Sequence, residues 1–144
     1  MMVSAAATPL LEIEDEIGRC KEAGSPRETA TALLALGERA LECWIEARGE
    51  TPTAETREGF RLLALHRQGA RGEPSFNACR ETARELVYHH NLISAHPEDF
   101  ESARRVEMMA MVARHLCLFV AAKLETTGIG EFCCSSKPLR GGGQ

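Results

Sequence analysis

"VEMMAMVARHLCLFVAAKLE", residues 106–125, is the stretch whose reading decides the fold. At 3.6 residues per turn its apolar side chains fall on two seams rather than one. Ala103, Val106, Ala110, Ala113, Cys117, Val120 and Leu124 make the first, and Met109, Val112, Leu116 and Phe119 the second. A helix apolar on both sides is enclosed by other helices or shared with a second subunit. Glu107, Arg114 and His115 interrupt the stretch, and its apolar part falls short of the ~20 residues that span a bilayer. The expected architecture is all-α, a compact bundle around this last helix.

Working outward, helix starts recur. In "SPRE" (25–28) Ser25 caps, Pro26 opens, and Glu28 closes a capping box. "TPLLEIEDEIGRC" places Thr8 and Pro9 in the same way, with Glu12, Glu14, Asp15 and Glu16 near the positive end of the helix dipole. "TPTAE" (51–55) and "HPEDF" (96–100) repeat the signal through Pro52 and Pro97. Gly24, Gly49, Gly69 and Gly128 each follow a periodic segment and are placed to end it in the left-handed conformation. Five helices are therefore expected, near 9–23, 26–48, 52–68, 75–95 and 98–126. They form one helical domain over 1–128, followed by an irregular tail containing Cys and Gly over 129–144. The expected inner faces carry Leu10, Ile13, Ile17 and Cys20, then Leu33, Leu36, Ala40 and Trp44, then Phe60 and Leu63. Alternating β-branched runs are absent, so no sheet is expected.

"CRETARELVYHHNLISAH" (79–96) gathers three of the five histidines beside two carboxylates, which invites a metal reading. Periodicity argues otherwise. Phe76, Cys79, Ala83, Leu86, His90 and Ile93 are spaced 3-4-3-4-3 and form the inward seam, which puts His90 on the core stripe, His89 at its margin, and Glu81 and Glu85 in water. A ferritin-like di-metal site needs Glu-x-x-His. Here Leu63, Leu86, Val87, Ile93 and Val112 stand three residues before the histidines, and His-Glu-x-x-His is also absent. A metal or redox site assembled across helices from His66, His89, His90, Cys133 and Cys134, with Zn or Fe as the ion, is the alternative that stays open. Cys20, Cys43, Cys79 and Cys117 read as small core hydrophobes, and Cys133 and Cys134 as two thiols in the tail.

Charge is uneven. The formal net charge is −4, which gives no support for nucleic acid or an acidic membrane surface as partner. Met1–Glu55 carries eleven acids against five bases, whereas Thr56–Arg84 carries three acids against six arginines. The ordinary expectation for that cationic stretch is a solvated face with a few ion pairs. Within it, "HRQGARGEPSFNA" (66–78) combines Gly69 and Gly72 with Arg67 and Arg71, so an anion-binding loop for phosphate or carboxylate is a further candidate.

No nucleophile–base motif occurs, no cofactor is predicted, and catalysis is not the expected activity. "MMVSAAATP" lacks a basic n-region and a signal-length apolar run, so a cytoplasmic protein is expected, with its thiols reduced. The first functional expectation is protein–protein interaction or homodimerisation through the last helix, at Met108, Met111 and His115, since methionine suits adaptable contact surfaces.

Overall fold

A computed structural model describes residues 7–20 and 24–126 of the chain. Among these residues there are five α-helices: α1 (Ala7–Cys20), α2 (Pro26–Ala47), α3 (Arg61–Ala70), α4 (Arg80–Ala95) and α5 (Ser102–Glu125). A 3-10 segment, Pro74–Cys79, leads into α4. The all-α bundle is as expected, and α5 is central, packed on α1, α2 and α4. It shares that position with α2, which touches each of the other four helices.

Local chemistry explains the ends of α2. Ser25 Oγ accepts from the Glu28 amide at 3.2 Å, and Glu28 Oε1 accepts from the Ser25 amide at 3.1 Å. That reciprocal box satisfies two orphan donors of the first turn. At the other end Gly49 takes φ 84°. The Gly49 and Glu50 amides then return to the Glu46 and Ile45 carbonyls at 2.9 and 3.1 Å, a Schellman closure. The buried stripes are those the periodicity predicts: Leu10, Ile13 and Ile17 on α1, and Leu33, Leu36, Ala40 and Trp44 on α2.

Three expected boundaries are corrected. Residues 52–60 are not helical, and α3 starts at Arg61. The run "PTAETREG" offers only Ala54 to a core, so a helix there would have no apolar face to bury. The chain makes a tight reversal instead. Arg57 and Phe60 exchange both backbone hydrogen bonds at 3.0 Å, and Glu58 and Gly59 between them take φ 56° and 87°, as a primed two-residue turn demands. Gln68 and Arg61 strap residues 51–53 onto α3: Gln68 Oε1 accepts from the Thr53 amide (2.8 Å), Gln68 Nε2 donates to the Thr51 carbonyl (2.9 Å), and Arg61 Nε donates to the Thr53 carbonyl (2.8 Å).

The expected fourth helix opens as a 3-10 turn, in which residues three apart eclipse. Phe76 and Cys79 consequently point inward together, both fully buried. The last helix starts at Ser102 rather than 98, because residues 97–101 close on side-chain bonds. Asp99 Oδ1 accepts from the Glu101 amide at 2.8 Å, and Ser102 Oγ lies 3.1 and 3.0 Å from the His96 and Pro97 carbonyls. In α1, Thr8 and Pro9 already lie within the helix, while the positions before Ala7, Lys21–Ala23 and everything after Thr126 (Gly128, Cys133 and Cys134 included) lie outside the described residues.

Gly69 does not end α3 in the left-handed conformation; it lies inside the helix, and Gly72 (φ 72°) makes the turn. Its role is close approach. A Cβ on Gly69 would stand 2.9 Å from Trp44 Cδ1 and 3.1 Å from Phe76 Cε2, both in rigid buried rings, whereas one on exposed Gly18 of α1 would meet nothing within 4 Å. Gly69→Ala is thus expected to destabilise by ~1–3 kcal/mol through overpacking. Gly18→Ala is expected to stabilise by ~0.5–1 kcal/mol through helix propensity. Urea denaturation of the two variants reads this opposition of sign.

Candidate functional site: an arginine cleft between α3 and α4

Two adjoining cavities open on the side of the bundle where α3 faces the start of α4. The first, of about 490 Å³, is lined by Arg57, Arg67, Arg71, Arg80 and Arg84 together with His66, Asn77 and the small apolar floor of Leu63, Ala70 and Ala83. No acid lines it. The second, of about 630 Å³, lies under the 51–56 strap and shares Arg57, Arg67 and Arg71 with the first. Glu55 is its one acid, and Thr51, Thr53 and Thr56 bring hydroxyl groups. All but one of the six arginines of the cationic 56–84 stretch therefore converge here. The exception is Arg61, which pairs with Glu42 and, at 3.6 Å, with Glu38.

The arginines of the cleft are set in two rungs. Arg67 lies on α3 and Arg71 one turn on, at its C-cap; Arg80 and Arg84 are one turn apart on α4. Among the described residues Arg57, Arg67, Arg71 and Arg80 have no carboxylate within ion-pair distance. Arg84 has one: Glu58, on the tight turn, takes it in a two-pronged contact of 2.7 and 3.2 Å. That contact holds the Glu58 carboxyl below the usual carboxylate range. It also shows how a guanidinium at the rim of the cleft grips an oxyanion.

What holds the rungs in register is the 69–76 crossing beneath them. The Trp44 indole donates to the Gly69 carbonyl at 3.0 Å, and Arg48 donates to the Gly69 and Arg71 carbonyls at 2.7 and 3.1 Å. The open carbonyls at the end of α3 are thereby met by a cation. Lys123, fully buried on α5, donates to Ser75 Oγ (2.6 Å) and Glu73 Oε2 (3.1 Å) and sits 5.2 Å from the centre of the Trp44 ring. Phe76 is inserted among Trp44, His66 and Phe119, with ring centroids 5.2, 5.3 and 5.4 Å away.

The other expected site residues are placed apart from one another. His66 is buried, and because a carbonyl only accepts, its Nε2–H donates to Phe76 at 3.0 Å. His89, not His90, is the buried member of the doublet, at 6% exposure, and its Nδ1 has no hydrogen-bond partner among the described residues. His90 is half-buried, edge-on to Phe60 at 5.6 Å. Glu81 and Glu85 face water as expected. Among the described residues no three His, Cys, Asp or Glu side chains gather as metal ligands. The core thiols Cys20 and Cys43 are pushed up by burial, and Cys117 is pushed up to about 12 while its Sγ donates to the Leu10 carbonyl. Such thiols are poor nucleophiles and poor ligands. Met108, Met111 and His115 do come together, with Val112, His89, Glu85 and Thr82, around a groove of about 220 Å³ between α4 and α5.

The chain matches no protein-family model, no curated protein and no solved structure. Among the described residues no helix is long and apolar enough to cross a membrane.

Burial holds His66 below the ordinary imidazole value; its bond to Phe76 opposes that shift and the Arg80 charge adds to it. Burial also lowers His89, against the Glu85 carboxylate. A histidine that resists protonation only when folded contributes its stability in full above about pH 6.5. That contribution is lost as pH falls below this value toward the folded pKa. Glu38, raised by burial, acts in the opposite sense, so the informative comparison is between variants. Urea midpoints are expected to drop between about pH 7 and 5.5, and His66→Gln is expected to flatten that drop.

Proposed function

We propose that this protein is a binding module for an anionic ligand, phosphate- or carboxylate-bearing, held in the arginine cleft. One observation carries the reading. A chain of net charge −4 lines one cavity with five guanidinium groups and, among the described residues, no acid. Each guanidinium offers a planar fork of donors that suits an oxyanion and stays charged at every working pH. Concentrating five of them costs mutual repulsion, which an anion relieves. The groove is open to solvent, so attraction at this site is sensitive to salt.

The test is calorimetric titration with inorganic phosphate at low and high ionic strength. Arg67→Gln and Arg80→Gln are each expected to weaken binding by about tenfold at low salt. Glu58→Gln, which removes the competing internal carboxylate, is expected to strengthen it. Heat changes that are absent, or that survive these arginine substitutions unchanged, contradict the reading.

A second reading, interaction with another protein chain or a second copy, is favoured by the α4–α5 groove. Met108 and Met111 stand beside it 43% and 70% exposed, and the buried His89 Nδ1 behind them lacks a partner. Sedimentation velocity over a concentration series is expected to show association that Met111→Glu abolishes. A species that sediments as a monomer throughout counts against self-association.

A further inference from the structure

We infer that the ligand of the cleft is a chain of condensed phosphates, at least two phosphoryl groups long, lying across both arginine rungs. This rests on the anion-binding reading and goes beyond it in naming the ligand's class.

The first ground is the charge count. Glu58 answers one guanidinium, and Arg57, Arg67, Arg71 and Arg80 remain without an ion-pair partner among the described residues. A single small anion leaves most of that charge in place. The second ground is the rungs themselves. Like charges held close together repel: Arg80 and Arg84 stand one turn apart on α4, with Glu58 answering Arg84, and Arg67 shares the same cavity with Arg71, which stands at the extended C-cap of α3. A ligand that bridges them relieves both repulsions at once.

The third ground is shape. The cavity faced by both rungs continues into the second one through the shared Arg57, Arg67 and Arg71, so the anion-accepting surface is elongated. Among the described residues neither cavity is lined by Phe, Tyr or Trp, and His66, the one ring in the lining, is buried and bonded to the Phe76 carbonyl, so no open aromatic platform receives a nucleobase. A carboxylate presents one planar fork and satisfies one guanidinium well. A phosphoryl group presents oxygens in several directions and accepts from both walls together. Threonine hydroxyls at the far end add neutral donors for the terminal group.

Condensed phosphate reaches a protein either as an inorganic chain or as the tail of a nucleoside triphosphate, and the titrations separate these sources. The full chain is titrated at constant ionic strength with orthophosphate, tripolyphosphate, citrate and ATP, all without divalent metal. Tripolyphosphate is expected to bind about tenfold or more tighter than orthophosphate, and clearly tighter than citrate. ATP is expected to match tripolyphosphate, since the base finds no partner. A much tighter ATP would overturn the claim that the phosphate chain alone is recognised.

Either double substitution, Arg67→Gln with Arg71→Gln or Arg80→Gln with Arg84→Gln, is expected to bring tripolyphosphate down to the level of orthophosphate. These side chains are exposed, and the Arg67 and Arg71 substitutions break no ion pair among the described residues, so that ligand-free variant is expected to melt no lower than wild type; the other also gives up the exposed Arg84–Glu58 pair, and Arg80→Gln alone serves as its control. Equal affinity for orthophosphate and tripolyphosphate, or for citrate and tripolyphosphate, overturns this inference while leaving an anion site. Binding of none of the four removes the anion site as well.

Discussion

The stack of Phe76 on Trp44, 5.2 Å between centroids and nearly parallel, is the contact on which the rest of this structure depends. Phe76 comes from the short 3-10 segment between α3 and α4, and it touches rings from α2, α3 and α5. Ring pairs of this kind contribute ~0.5–1.5 kcal/mol each beyond the area they bury. Their larger effect here is positional. With Phe76 seated, Gly69 must pass against Trp44, and only a residue without a Cβ fits that gap. Arg48 and Lys123 then hold the polar backbone and side chains of the same crossing. A loop fixed from below in this way presents Arg67, Arg71 and Arg80 in a set arrangement above.

Charge is handled differently on the two sides of the molecule. Between α1 and its neighbours, arginine meets acid: Arg114 with Glu14 at 3.1 Å and Arg39 with Glu16 at 3.2 Å. Exposed pairs of this sort add little to stability, typically ~0–1 kcal/mol, but they fix which faces meet. At the cleft the pattern inverts, and five arginines collect with two acids beside them, Glu58 at the rim and Glu55 under the strap. Water screens the repulsion enough for the fold to tolerate it. Apart from the Arg84–Glu58 contact, these guanidinium groups make no ion pair among the described residues, and that supports the proposed anion site.

Much of the architecture was legible in the sequence. The Ser25–Glu28 box, the Gly49 stop and the apolar stripes of α1 and α2 follow from local chemistry and periodicity, as do those of α5 from Val106 to Val120; Ala103, counted on the α5 seam, is exposed, and Val112 and Leu124 are half-buried. The misreadings have physical causes. Thr51–Pro52 has the residues of a helix start but little apolar after it, and Glu58-Gly59 turns the chain although Glu, unlike Asn or Asp, does not announce the left-handed position it takes. Phe76, Cys79, Ala83, Leu86 and Ile93 are buried as the seam predicts, and only the choice between the two histidines differs: His89, at the margin of the stripe, is enclosed on the side facing α5, while His90 stands half-buried and edge-on to Phe60. The cleft was half visible. The excess of arginine over 56–84, and the pair Arg67 and Arg71, stand out in the sequence, but which sides of α3 and α4 face each other is decided by Phe76 and Trp44 rather than by any spacing.

One spectrum puts the cleft to the question. In nitrogen-15 correlation spectra the Nε–H signals of individual arginines can be followed as tripolyphosphate is added. If the site is as described, Arg57, Arg67, Arg71, Arg80 and Arg84 shift together and saturate, while Arg19, Arg39 and Arg114 on the far pairs stay where they are. A small, unsaturating drift shared by all the arginines would mean that the cleft has no affinity of its own.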